Sequence, residues 1–222
     1  MTEKMPMFPL NTVLFPGVSV PLRVFEDRYR ALVHRLLTVA EPADRLFGSV
    51  AIREGYEVGD HGSQSLHRIG CYLQLTDAVS HDDGTFDIVA VGRGRIRLDG
   101  LDGSGSYLEG TVERLEDIDG PVREETIETA LATFETYRTV VSEVSDADVL
   151  VGDLPHDATW LSWSLAATCL LTMRQRQNLL EAPNAAVRLA LATDMLHAEI
   201  RAMRAVPSLP ATDVSRTRWS PN

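Results

Sequence analysis

The stretch "FPLNTVLFPGVSVPLRVFEDRYRALVHRLL", from Phe8 to Leu37, combines apolar residues interrupted by prolines with a charged, periodic run. Proline restricts the residue before it to extended backbone, so Phe8 and Phe15 are poor helix residues. The β-branched and aromatic residues 13–15 predict a short strand. Pro16-Gly17 predicts a tight turn after it, because proline presets φ and glycine tolerates a positive φ.

A second strand and a helix complete this stretch. Residues 18–20 alternate apolar and polar side chains, as a half-buried strand does, and Pro21 indicates a sheet edge or a strand end. From Phe25 onward the apolar residues recur with the helical period. The predicted buried stripe is Tyr29, Leu32, Val33, Leu36 and Leu37. The stretch therefore predicts strand, turn, strand and helix, with the helix packed against the strands.

The rest of the first half is typical of a small β structure. Further strands are predicted at Leu46–Ile52, Cys71–Val79, Phe86–Val91 and Leu108–Leu115. Asp83-Gly84 is a strong hairpin signal, residues 99–106 are rich in glycine and serine and predict a flexible turn, and the N-terminus around Lys4 is expected to fray. Several short, closely spaced strands predict a barrel or closed sheet over residues 1–118.

The second half has helical periodicity. A helix is predicted from Val122 to about Val144, and Asp157 is the expected N-cap of an apolar helix. A short helix and a final helix from Ala185 to about Arg204 follow. We therefore predict an α+β protein with a helical bundle over residues 119–206 and a loose tail over residues 207–222.

Composition excludes several functions. The formal net charge of −11 disfavours nucleic acid as a partner. Lys4 is the only lysine, so the chain has no P-loop and no lysine Schiff-base site in its folded body. Cys71 and Cys169 are far apart and the histidines match no zinc spacing, so no metal and no cofactor are expected. No catalytic constellation, signal peptide or membrane span is recognisable, and we expect a non-enzymatic cytoplasmic protein.

Two groups of residues are candidates for binding. Phe8, Phe15 and Phe25 either line a peptide groove or fill the core, and core packing is the favoured interpretation. Arg93, Arg95 and Arg97 are predicted to share one face of a strand. They either hold acidic peptide or RNA phosphate, or form a solvated face paired with nearby carboxylates.

The same opening stretch resembles the start of the substrate-binding (N-terminal) domain of ATP-dependent Lon proteases. The matching positions are Phe8-Pro9-Leu10, Leu14-Phe15-Pro16-Gly17, Pro21-Leu22 and Phe25-Glu26-Asp27-Arg28-Tyr29. Asp27 replaces the proline usual in that family, and both residues suit a first helical turn. The later "MRQRQNLLEAPNAAVRL" is similar to the family's Gln-x-Leu-Leu-Glu helix pair, and "VAVGRGRIRL" to its central strand.

The resemblance implies a PUA-like β-barrel followed by an α-helical bundle. In Lon proteases this region captures unfolded substrates and helps to assemble the ring, so it implies unfolded or partner polypeptides as ligands, and self-association. The ATPase and protease domains have no counterpart in these 222 residues, so we expect a stand-alone binding module, working as a proteolysis adaptor. The alternative is a PUA-like RNA-binding module that uses the arginine-bearing strand. The candidate binding residues are Phe15, Phe25, Glu26, Arg28, Tyr29, Arg93, Arg95 and Arg97.

Overall fold

A computed structural model describes residues 1–53, 65–118, 120–147, 150 and 152–205. The chain divides into two compact units, of which the first is Met1–Glu116 and the second begins at Asp117. This division lies two residues before the predicted boundary between 118 and 119. The predicted tail over residues 207–222 lies outside the described residues.

The first unit is built on a mixed six-stranded sheet. Its strands are β1 (Thr2–Met7), β2 (Ser19–Val24), β3 (Leu46–Ser49), β4 (Ile69–Ser80), β5 (Phe86–Asp102) and β6 (Leu108–Leu115). The order is β2-β5-β4-β3-β1-β6, and β6 also pairs with β5. The pairings β1–β3–β4–β5–β6–β1 therefore return to their start, and the sheet curls on itself. The predicted α+β class is confirmed.

The helix α1 (Asp27–Leu37) closes the larger core of this unit. It buries Tyr29, Leu32, Val33 and Leu36 against residues of β3, β4 and β5, which confirms most of the predicted stripe. The predicted burial of Leu37 is wrong, because its side chain is 39% exposed at the last position of the helix. A short 3-10 helix, Pro42–Asp44, leads on to β3.

Two local predictions about the start of the chain are wrong. Residues 13–15 form no strand, and Val13 and Phe15 instead lie buried in an irregular loop. Thr2–Met7 is not frayed but forms β1, which pairs along its length with β6. The strand propensity of Thr2–Met7 is weak, and pairing with β6, more than a hundred residues away, decides the conformation of this segment.

Other predictions for the opening stretch are confirmed. Gly17 has a φ of 77°, in the left-handed region that the predicted turn requires. Pro21 lies inside β2, and among the described residues this strand pairs only with β5. Pro21 is thus on a sheet edge, where the missing N–H costs no ladder hydrogen bond.

The long strand β5 replaces two predicted elements. It runs without a break through residues 99–102, where the sequence predicted the beginning of a flexible turn. Opposite β4, Gly92 pairs with Leu73 and Gly94 with Tyr72, so Arg93 has no counterpart and forms a bulge. A bulge interrupts the alternation of side chains between the two faces of a strand.

The second unit consists of helices. They are α2 (Glu124–Ser145), α3 (Ala158–Thr168), α4 (Met173–Glu181) and α5 (Ala185–Ala205). The predicted cap at Asp157 is confirmed, since its carboxylate accepts a hydrogen bond from the Trp160 amide at 2.9 Å. Trp163 is buried in this unit, whereas Trp160, one turn earlier on α3, is 51% exposed.

A fully buried arginine connects these helices. Arg188 of α5 stacks on the Trp163 ring, with 3.1 Å from its guanidinium carbon to the ring centroid. It donates to Ser162 Oγ at 2.8 Å, to the Leu179 carbonyl at 3.2 Å and to Asp117 Oδ2 at 3.3 Å. One side chain thereby ties α3, α4 and the first residue of the unit to α5.

Each unit contains one buried thiol that can report on its unfolding. Burial raises the pKa of both Cys71, in the first unit, and Cys169, in the second, to about 12. Because the thiolate is the nucleophile, both cysteines are expected to resist iodoacetamide in the native protein at about pH 8 and to react in denaturant. Peptide mapping by mass spectrometry measures each site, and rapid native labelling of either thiol would contradict its burial.

Candidate functional site

The predicted aromatic residues separate into core and surface. Phe15 is 1% exposed and Tyr29 is 2% exposed, so both are core residues. For Phe15, this agrees with the favoured interpretation that the phenylalanines pack in the core. The Tyr29 ring stacks on Phe8 at a centroid distance of 4.1 Å. Phe25 is 41% exposed just after β2 and is the member of this set that a ligand can reach.

Glu26 and Arg28 form a local ion pair at the start of α1. Arg28 donates from Nε at 3.0 Å and from Nη2 at 2.7 Å to the same oxygen, Oε2 of Glu26. The Arg28 guanidinium also lies over the Tyr29 ring, 4.6 Å from its centroid. Burial raises the pKa of Tyr29 to about 12, and Arg28 opposes this shift while Glu26 adds to it. This arrangement braces the helix start and leaves both charged side chains about one-third exposed at 33%.

The three arginines of β5 do not form a continuous exposed stripe. Arg93 lies in the bulge and donates to Gln74 Oε1 at 2.8 Å. Arg95 pairs with Cys71 and is 5% exposed. Arg97 is exposed but forms ion pairs with Asp99 at 3.1 Å and Glu113 at 2.6 Å. The bulge takes Arg93 out of the regular alternation, whereas Arg95 and Arg97 keep that alternation and still differ in burial.

These placements give no support to the RNA-binding alternative. Phosphate recognition depends on several exposed cations that release counterions together. Of the three arginines, one is buried and another is neutralised by two carboxylates. The interpretation as a solvated face paired with carboxylates fits Arg97.

A different surface emerges from the register of three strands. In β2, β5 and β4, cross-strand partners align nine side chains on the side of the sheet opposite the larger core. We call this surface the outer sheet face. Its members are Ser19, Pro21 and Arg23 of β2, Asp87, Val89 and Val91 of β5, and Gln74, Asp77 and Val79 of β4.

The outer sheet face has an apolar strip. Pro21 is exposed, Val89 and Val91 are half-buried, and Val79 is 52% exposed. Phe25 follows the end of β2. A group of exposed apolar side chains on one face of a sheet is typical of a protein-binding surface.

Sequence reasoning missed the outer sheet face, although it named Phe25, which follows the end of β2. The apolar alternation of each strand is visible in the sequence, but the neighbours across strands depend on register. A second bulge, at Thr76 between the pairs of Leu75 and Asp77, moves Asp77 and Val79 onto the outer sheet face. A shift of the pairing register of β4 by one residue would point the Val79 side chain into the core.

In the part of the chain that the structure describes, no three His, Cys, Asp or Glu side chains are grouped so that they could hold a metal ion. Among the same residues, no helix combines the length and apolarity needed to cross a bilayer.

The fold defines an α+β domain in which a curled sheet is followed along the chain by helices. The family model of the ATP-dependent protease La (LON) substrate-binding domain matches residues 4–198. The Lon proteases of Elusimicrobium minutum and Escherichia coli K12 are 25% and 26% identical, over 194 and 200 residues. These alignments cover 86% and 89% of this chain but only 23% and 25% of the relatives, so the chain spans about a quarter of their length.

Solved structures agree with the family match. The crystal structure of a Lon N-terminal domain protein from Xanthomonas campestris is 26% identical, with a TM-score of 0.62, and covers 88% of this chain and 98% of that one. The N-terminal domain of Mycobacterium avium complex Lon protease has the same TM-score at 17% identity, which shows the fold alone. The chain belongs to the family of Lon substrate-binding domains.

Proposed function

We propose that this protein binds exposed apolar segments of unfolded polypeptides on the outer sheet face. The observation that carries the proposal is the apolar strip of Pro21, Val79, Val89 and Val91 on the outer sheet face. Family membership supports the ligand class, because the matching family is described as a substrate-binding domain. Phe25 is the predicted site residue best placed to extend the strip.

The expected affinity is modest. Burying apolar surface stabilises a complex by about 25 cal/mol per Å², but ordering a flexible segment offsets much of this gain. A dissociation constant in the micromolar range is therefore expected for a short peptide. Such binding suits a module that must release its clients.

Charge introduced into the strip is expected to weaken binding. Val79→Asp places a carboxylate among apolar contacts, and we expect it to weaken the binding of a fluorescent apolar peptide by about tenfold or more. Fluorescence anisotropy with the purified full chain measures this effect. Val187→Asp, at a 39% exposed position of α5 in the second unit, is the matched control.

Three outcomes separate the alternatives. Loss of binding in Val79→Asp alone supports the outer sheet face. Equal loss of binding in both variants, or no loss in either, would show that the binding site lies elsewhere on the chain. Absence of binding to any unfolded polypeptide by the unmodified chain would overturn the function itself.

We propose further that the protein acts without catalysis, in the cytoplasm, as a proteolysis adaptor that self-associates or engages a partner protease. The support is that the whole match falls within a substrate-binding domain rather than a protease domain. Incubation with casein, with and without ATP, is expected to yield no cleavage. Light scattering measures self-association, and proteolysis of the casein would contradict the non-enzymatic role.

A further inference from the structure

We propose that the outer sheet face selects apolar segments that carry lysine or arginine over equally apolar segments that carry aspartate or glutamate. This inference rests on the proposed function, since it names the chemistry of the client at the same surface. It goes beyond that function because apolar capture alone is indifferent to the sign of flanking charges.

Acidic side chains outnumber basic ones around the strip. Asp77 and Asp87 belong to the outer sheet face, and Asp82 and Asp83 occupy the hairpin that joins β4 to β5. Their basic neighbours are Arg23, on the face, Arg93, bonded to Gln74, and Arg30, which lies beside Gly84 of the hairpin and pairs with Asp27. With Asp27 included, five carboxylates against three guanidinium groups leave two negative charges.

The excess charge is located on particular carboxylates. Arg23 lies 4.0 Å from Asp83 and 3.7 Å from Asp87, so these two carboxylates share one cation. His81 Nε2 also lies 2.8 Å from Asp87 Oδ2. Within the described part of the chain, Asp77 and Asp82 form no ion pair.

Both of these carboxylates are exposed and lie next to the apolar strip. Asp77 pairs across the sheet with Val89 and stands two residues before Val79 on β4. Asp82 follows three residues after Val79. A cation on a segment that covers Val79 and Val89 is therefore within a Debye length of about 8–10 Å of Asp77.

Backbone pairing cannot replace side-chain recognition at this edge. Pro21 occupies the middle of the edge strand β2 and has no N–H to donate to an added strand. A regular peptide ladder along β2 is thereby interrupted, so a bound segment depends on contacts between side chains. The charge of the segment then contributes more to the difference in affinity between clients.

The experiment uses the full chain and two fluorescent peptides of about 15 residues with the same leucine, valine and phenylalanine positions. One peptide carries lysine and the other glutamate at the remaining positions. The lysine peptide is expected to bind about fivefold more tightly at about 50 mM salt, and this ratio should fall towards one at about 500 mM salt.

A pair of double variants locates the effect. Asp77→Asn with Asp82→Asn removes the two unpaired charges and is expected to lower the preference for lysine to less than twofold. Glu124→Gln with Glu128→Gln removes two exposed charges from α2 in the second unit and should leave the preference unchanged. Both pairs change the net charge of the chain equally, so only the location differs.

The outcomes distinguish this inference from the proposed function. If neither peptide binds, the proposed function fails. If both bind equally at low salt, polypeptide binding stands and the charge inference is overturned. If the two double variants reduce the preference equally, net charge rather than the outer sheet face is responsible, and the inference is overturned as well.

Discussion

Arg188→Ala is expected to lower the free energy of unfolding of the helical unit by about 3 kcal/mol, the lower end of the cost of removing one partner of a buried ion pair, because Asp117 keeps 21% of its side chain exposed. The side chain is 0% exposed and bonds at once to Ser162, Leu179 and Asp117. Its loss leaves a cavity beside Trp163 and takes the donor away from three acceptors.

The measurement is chemical denaturation followed by tryptophan fluorescence, since two of the chain's three tryptophans, Trp160 and Trp163, belong to the second unit. Arg201→Ala, at an exposed position of the same helix, is the matched control and should change stability by less than about 0.5 kcal/mol. Arg188→Lys is expected to recover only part of the loss, because an ammonium lacks the planar fork that stacks on an indole. A decrease in the free energy of unfolding below about 1 kcal/mol in Arg188→Ala would show that the contacts of this arginine do not hold the helices together.

Gly92→Ala is expected to destabilise the first unit by about 3 kcal/mol, at the upper end for an overpacked core. A Cβ at this position would lie 2.1 Å from the Phe15 carbonyl oxygen, which belongs to the backbone. The loop around it is held by hydrogen bonds from the Gly17 amide to the Gly92 carbonyl at 2.9 Å and from the Gly92 amide to the Val18 carbonyl at 3.0 Å. The loop cannot move away without breaking these bonds.

Cysteine labelling under increasing denaturant measures this effect, because Cys71 reports on the first unit and Cys169 on the second. We expect the labelling midpoint of Cys71 to shift in Gly92→Ala. Gly100→Ala is the control on the same strand, since its Cβ would have no neighbour closer than 4.0 Å. If the two glycine variants behave alike, close approach of the loop is not what requires a glycine at 92.

The sequence predicted the elements whose cause is local. Pro16-Gly17 predicts a turn, Pro21 predicts an edge or a strand end, and the period from Phe25 onward predicts a helix, because each signal depends only on nearby residues. The cap at Asp157 is local in the same sense, because its acceptor and donor are three residues apart. The order of the motifs also carried the family resemblance.

The candidate site was much less predictable. The ion pair of Glu26 and Arg28 has a local cause, since the two residues are only two positions apart in the chain. The placement of Arg93 has no such local cause, because its bulge exists only in the pairing of β5 with β4. The strand at Thr2–Met7 was missed for the same reason, as its partner β6 lies at the other end of the unit.

By itself, then, the sequence determined the α+β class, the turn at Gly17 and the amphipathic helix that follows Phe25. Only the tertiary structure decided that Arg95 is buried, that Arg188 joins the helices, and that Pro21, Val79, Val89 and Val91 share one exposed surface. The physical reason is that turns, caps and helical periods follow from neighbouring residues, whereas strand pairing and the partners of a side chain across a sheet follow from register. Register is set by bulges and by strands that are distant in the chain.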